Sequence, residues 1–149
     1  MSDQPRVSSV GRVLGLDLGS KRIGVAVSDS AQSVATPLKF VARSGDRHRD
    51  HRNIASIVSE YEAVGVVVGL PVPMSGEMGP AATAVLEEVS NLRRVVGVEV
   101  DTIDERLTTK QAAGSLQRAG KSSRAQRTII DETAAALLLQ TWIDRTRAL

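Results

Sequence analysis

Three acidic residues in this chain of 149 stand where a carboxylate needs a reason: Asp17, Glu105 and Asp131. Asp17 lies within the apolar run Arg12 to Leu18, on the face opposite Leu14, Leu16 and Leu18, and its own face offers only Val13 and Gly15. A carboxylate there is expensive unless something compensates it: a metal ion, Lys21 or Arg22, or the turn amides of Gly19 and Ser20. Glu105 follows a strand ending at Ile103, and loops at the carboxyl ends of strands are common ligand sites in α/β sheets. A solvated Asp104-Glu105-Arg106 turn is the alternative. Asp131 shares a helical stripe with Ala135, Leu138 and Trp142, which puts an acid on an apolar face; Arg127, one turn earlier, is its simplest partner.

Carboxylates from separate elements that meet at one point suit a hard cation, Mg²⁺ or Mn²⁺. Two such ions, about 3.5–4 Å apart, activate a water and stabilise the leaving oxygen of a phosphodiester. That chemistry needs neither Cys nor His. Cysteine is absent, which removes disulfides, thiolate catalysis, iron–sulfur clusters and Cys-type zinc sites together. His48 and His51, in Arg47-His48-Arg49-Asp50-His51-Arg52, have i, i+3 spacing but sit among arginines, and they read as a solvated face outside the site.

The charges are unevenly placed. Net charge is +2, yet between Arg106 and Ile130 there are six basic residues (Arg106, Lys110, Arg118, Lys121, Arg124, Arg127) and no acid. Arg outnumbers Lys fifteen to four, and guanidinium suits bidentate phosphate contacts, so the run is a candidate grip on a nucleic-acid backbone, with Lys21 and Arg22 nearer the cut. Aromatic residues are one each of Trp142, Tyr61 and Phe40, too few for base-stacking platforms.

The elements that must position these residues follow from periodicity. Arg12–Leu18 and Arg22–Ser28 flank Gly19-Ser20-Lys21 and read as a β-hairpin, with a third strand over Leu38–Ala42 after Pro37. From Asp46 to Glu62, apolar Ile54, Ile57, Val58 and Tyr61 predict a helix. Val64–Leu70 is a doubly buried strand. A helix on Ala82, Val85, Leu86 and Val89 follows, with Glu87, Glu88, Asn91 and Arg94 outward, then a strand over Val98–Ile103. Two helices close the chain, Thr108–Ala119 and about Ser123–Arg147. The order β-β-β-α-β-α-β-α-α implies an α/β fold, a mixed sheet flanked by helices.

Length and composition fit one domain over 12–149 behind a flexible tail, 1–11. The longest charge-free stretches, Ala63–Gly76 and Thr133–Ile143, fall short of the roughly 20 apolar residues of a membrane helix. The tail lacks a signal-peptide core, so a cytoplasmic protein without membrane contact is expected.

Several motifs together resemble a known family. Leu16-Asp17-Leu18-Gly19-Ser20-Lys21-Arg22-Ile23-Gly24-Val25-Ala26-Val27-Ser28-Asp29, Val68-Gly69-Leu70-Pro71, Asp104-Glu105-Arg106-Leu107-Thr108-Thr109 and Ile130-Asp131-Glu132-Thr133-Ala134-Ala135-Ala136 are similar, in order, to the bacterial YqgF (RuvX) family. The resemblance implies an RNase H-like fold whose metal-binding and catalytic acids fall on Asp17, Glu105 and Asp131. It implies a metal-dependent endonuclease, for 5′-end maturation of pre-16S ribosomal RNA or for resolving Holliday junctions in four-way DNA. The protein would act as a monomer or homodimer, a two-fold junction favouring the dimer. Two departures stand out: Pro73 and Ser75 replace the family's usual Asn and Asp after Gly-Leu-Pro, and Glu132 adds a second acid beside Asp131.

Two other classes are compatible with parts of the chain. The Asp-Leu-Gly-Ser turn also resembles the phosphate loop of sugar kinases, actin and Hsp70-type ATPases, but those clamp ATP between two domains and this length supplies one. A non-catalytic nucleic-acid-binding module would keep the basic run and have no use for the acids.

Overall fold

The computed structural model describes residues 7–108 and 123–147, with side chains in the second segment from Ala134 onward. Five strands form one sheet: β1 (Val13–Leu18), β2 (Arg22–Ser28), β3 (Ala35–Ala42), β4 (Gly65–Leu70) and β5 (Glu99–Asp104). The sheet order is β3-β2-β1-β4-β5. β1, β2 and β3 pair antiparallel, as short turns require, whereas β1–β4 and β4–β5 pair parallel through helical crossovers. The helices are α1 (Arg47–Glu60), α2 (Pro80–Val96) and α3 (Ser123–Arg147), with a 3₁₀ turn at Glu105–Leu107. The predicted helix over 108–119 falls, after Thr108, outside the described residues.

Alternation along the central strands divides the core in two. Leu14 and Leu16 of β1, with Val66 and Val68 of β4, pack under Ile54, Ile57, Val58, Val89 and Leu92 of α1 and α2. Val13 and Val67 point the other way, onto Ala135, Leu138, Leu139, Trp142 and Ile143 of α3. Asp17 falls on this second face by the period-two rule. α3 lies close because β1 has no side chain at Gly15: a Cβ there would come 2.7 Å from Leu139 Cβ and 2.9 Å from the Ala135 carbonyl oxygen.

Polar pins fix α3 at both sides of the sheet. Ala35 N–H donates to Gln140 Oε1 at 2.8 Å, and Trp142 Nε1 donates to Asp101 Oδ2 at 3.0 Å. At the amino end, Val7 packs against the α3-side cluster, and Gln32 Nε2 donates to the carbonyls of Ser8 and Gly11.

Some boundaries and exposures differ from the sequence expectation. β3 begins at Ala35 and carries Pro37 on an edge strand, where a missing N–H costs nothing, beside a register shift at Val25/Ala26. α1 starts one residue after Asp46, whose side chain caps it by accepting from Arg49 N–H at 3.2 Å. Leu86, expected in the core, is 40% exposed, whereas Glu88 and His51, expected outside, are buried. On α2 the buried stripe runs through Ala82, Glu88, Val89, Leu92 and Val96, so Leu86 lies off it and Glu88 lies on it.

Gly15→Ala is expected to destabilise the fold by roughly 1–3 kcal/mol, since the rigid Ala135 backbone cannot yield; a lowered urea midpoint at unchanged m-value checks this.

Candidate active site

The carboxyl ends of β1, β4 and β5 carry the site. Leu16 pairs with Val68, so the next step along these parallel strands sets Asp17 beside Gly69. Gly69 in turn pairs with Ile103, two residues before Glu105. The Glu105 side chain folds back over Gly69: a Cβ on that glycine would meet Glu105 Oε1 at 2.7 Å and Cγ at 3.0 Å, with Leu138 Cδ2 at 2.9 Å. The glycine is therefore the cradle in which the carboxyl rests.

There Glu105 hydrogen-bonds to Asp17. Its pKa is pushed from 4.5 up to about 7, by burial first and then by the charge of Asp17, the hydrogen bond to Asp17 and the charge of Asp104. Two carboxyl groups in one half-buried cleft cannot both ionise cheaply without a cation between them. The pair accordingly suits a hard divalent ion.

The third acid expected from the sequence, Asp131, belongs to α3, one turn before Ala135, whose carbonyl oxygen faces Gly15. Its side chain lies outside the described residues. Among the described residues no group of three or more acids or histidines forms a metal cage.

The predicted cationic residues divide. Lys21 and Arg22 are exposed on the β1–β2 hairpin, beside the cleft that Asp17 helps to line. Arg22 also lies over the Phe40 ring, 5.0 Å from its centroid. Arg106 is at the site, but Asp104 engages it through Nε at 2.9 Å and Nη2 at 2.6 Å, so its charge is largely compensated. Lys110, Arg118 and Lys121 lie outside the described residues, as do the side chains of Arg124 and Arg127.

A supporting network behind the site escaped sequence reasoning. Arg43 grips Glu88 bidentately, Nη1 to Oε2 at 2.6 Å and Nη2 to Oε1 at 3.0 Å. Its Nε donates to the Gly19 carbonyl at 2.9 Å, and its backbone N–H to the Lys21 carbonyl at 2.9 Å. The hairpin that follows Asp17 is thereby clamped to α2. His51 Nε2 lies 2.8 Å from Glu88 Oε2. Burial alone would raise the Glu88 pKa, but the hydrogen bonds and charges of Arg43 and His51 outweigh it and hold the carboxyl below its ordinary value. An ionised Glu88 accepts, so His51 Nε2 carries the hydrogen. The expectation that His51 belongs to a solvated face is thus corrected; it is 1% exposed and braces the clamp. Gly69 did leave a signal, a glycine inside the apolar run Val66–Leu70, the mark of close approach in a strand.

A five-stranded mixed sheet with a carboxyl pair at the ends of β1 and β5 is the arrangement of an RNase H-like protein. Solved structures agree. RuvC of Thermus thermophilus in complex with Holliday junction substrate matches with TM-score 0.58 at 18% identity, over 91% of this chain and 96% of RuvC. A second structure of Thermus thermophilus RuvC matches with TM-score 0.53 at 17% identity, over 92% of this chain and 96% of RuvC. At such identity the likeness carries the fold alone.

The family model described as RuvX: Holliday junction resolvase matches residues 11–145. A relative from Rhodococcus opacus (strain B4) is 49% identical over 148 residues, covering 95% of this chain and 83% of its own length. One from Nocardia farcinica (strain IFM 10152) is 47% identical over 144 residues, covering 93% and 80%. Both carry the provisional name pre-16S rRNA nuclease. The chain belongs to the RuvX family.

Two outcomes follow from this geometry. Because folded Glu105 holds its proton more tightly than an ordinary carboxyl, its contribution to stability is complete below about pH 4.5 and is lost as pH rises through about 7. Asp17→Asn removes the facing charge and lowers the Glu105 midpoint, observable by carbon-13 NMR of the carboxyl, and flattens the stability loss across that window. Glu88→Ala strands Arg43 and His51 and is expected to cost roughly 3–5 kcal/mol, read from chemical denaturation.

Proposed function

We propose that this chain is a metal-dependent endonuclease that cleaves phosphodiester bonds, with pre-16S ribosomal RNA near its 5′ end as the substrate. The observation that carries the reading is the Asp17–Glu105 pair, two carboxyls hydrogen-bonded over Gly69 with Glu105 raised to about 7. Such a pair has no structural purpose that an amide or an apolar side chain would not serve at lower cost. The relatives' name supplies the RNA.

Asp17, Glu105 and Asp131 would hold Mg²⁺ or Mn²⁺; the bound metal supplies a water of lowered pKa and charge stabilisation at the scissile phosphate. The residues fit an oxygen-seeking cation: the donors are carboxylates, and the cleft keeps two of them close at the cost of a proton. Asp17 is presented by a strand buried at the centre of the sheet, and Glu105 by the 3₁₀ turn that Asp104 starts by accepting from Arg106 N–H at 2.9 Å. Both carboxyls are thus oriented before substrate arrives. Lys21 and Arg22, exposed beside Asp17, would neutralise phosphates flanking the cut, and the basic run from Arg106 through Lys110, Arg118, Lys121, Arg124 and Arg127 would hold the backbone further out.

A second reading, resolution of four-way DNA, is favoured by the description of the family model. The same acids would serve either substrate, so the two separate only by substrate choice. No described helix is long and apolar enough to cross a membrane.

Asp17→Asn and Glu105→Gln are each expected to lower cleavage of a pre-16S leader RNA by more than about a hundredfold, beyond the loss of a merely supporting group. Chelation abolishes the native activity and added Mg²⁺ or Mn²⁺ restores it. Since metal and proton compete for Glu105, metal is expected to bind more tightly as pH rises from 6 to 8. Equal cleavage by native and Asp17→Asn chains discards the reading, and preference for a synthetic junction over the leader RNA selects the second substrate.

A further inference from the structure

The side of the molecule opposite the acids is not electrically neutral. In Arg47-His48-Arg49-Asp50-His51-Arg52 the acid is withdrawn: Asp50 is 1% exposed and accepts from Ser44 N–H at 3.1 Å. Asp46, just before, is occupied as the cap of α1. Glu88 is consumed by Arg43 and His51. What remains outward on the first turns of α1 is basic, while on α2 Glu87 is exposed alongside Arg93 and Arg94. Arg47 and Arg94 are exposed, and among the described residues neither has an acid within ion-pair distance.

These cations lie along connected clefts. The first, of about 400 Å³, is lined by Asp17, Gly19, Ser20, Lys21 and Arg22. Gly19 and Ser20 are also walls of a second, of about 510 Å³, which continues to Arg43, Gly45 and Arg47 between the hairpin and the start of α2. Arg47 is again a wall of a third, of about 420 Å³, whose other walls include His48, Asn91 and Arg94. Through these shared walls the three clefts run in series from Asp17, around the hairpin, to the α1/α2 face. The Arg43 clamp on Gly19 and Glu88 holds the bend of that path in shape.

We propose that this path is a second nucleic-acid track, in which Arg47 and Arg94 bind phosphates of a single-stranded flank leading away from the cut. The assignment rests on the nuclease reading for its partner and extends it to the α1/α2 face. The occupant is a single strand because the path turns around a hairpin and passes between two helices, which a stiff duplex cannot follow. Sequence-independent binding is expected, since the outward groups are cations, the Asn91 amide and the His48 imidazole, and no Phe, Tyr or Trp lines the three clefts.

The test measures binding in chelator, so that cleavage does not enter. Fluorescence anisotropy compares a tetranucleotide with an oligouridylate several times longer, for the native chain and for Arg47→Gln/Arg94→Gln. The native chain is expected to bind the longer strand more tightly, and the double variant to lose most of that gain. At about 0.7 per phosphate contact on a single strand, its slope of log affinity against log salt should be shallower by about 1.4. Arg12→Gln/Lys39→Gln, two exposed cations off the path, serves as the charge-matched control. A loss in the double variant no larger than in this control overturns the track and leaves the nuclease reading standing. Failure of the native chain to bind the longer strand more tightly than the tetranucleotide also overturns the track, while the nuclease reading is decided by the cleavage assay with Asp17→Asn.

Discussion

The burial of two facing carboxyl groups is the constraint around which this molecule is arranged. Asp17 comes from β1 and Glu105 from the 3₁₀ turn after β5, on either side of β4, and Gly69 on that strand provides the space in which they meet. Burial first, and then the facing charge of Asp17, push the Glu105 pKa up to about 7. A fold tolerates such a contact only if the elements on both sides are held firmly. β1 and β4 are buried on both faces, and α3 is pinned to β3 through Gln140 and to β5 through Trp142. The stability of the two core layers supports the strained centre between them.

The same economy governs the cations. Arg43 is spent on Glu88 and the Gly19 carbonyl, and Arg106 on Asp104, so two arginines near the site shape it rather than advertise charge. Others, Arg47 and Arg94 among them, remain directed at solvent. In a chain whose net charge is only +2, pairing decides where positive potential appears, and composition alone would misplace it. A local acid such as Asp50 lowers the net count while contributing nothing to the outward face.

Much of the fold was legible because periodicity reports burial. The hairpin, the doubly buried fourth strand and the limits of the last helix follow from alternation and from the 3.6-residue stripe, and the structure has them within a few residues. Reading failed where a polar side chain took an apolar position. Glu88 and His51 look solvent-facing by residue type, yet each is buried because its partners, 37 residues apart for this pair and 45 for Arg43 and Glu88, arrive only when α1 and α2 pack together. Leu86 was misjudged on the same helix, since the buried stripe of α2 runs through Glu88 and leaves Leu86 off it.

The amino-acid sequence by itself determined the α/β order, the exclusion of thiol chemistry, and Asp17 and Glu105 as acids out of place in their surroundings. It also carried the family motifs. Tertiary structure alone decided that Asp17 and Glu105 share a hydrogen bond, that Gly69 is the reason they can, and that the histidine-rich segment braces the hairpin after Asp17. Local sequence encodes which face of an element is apolar, because that depends on neighbours three or four residues away. Which two polar groups meet depends on strand order and helix docking, and those are settled only when the whole core closes.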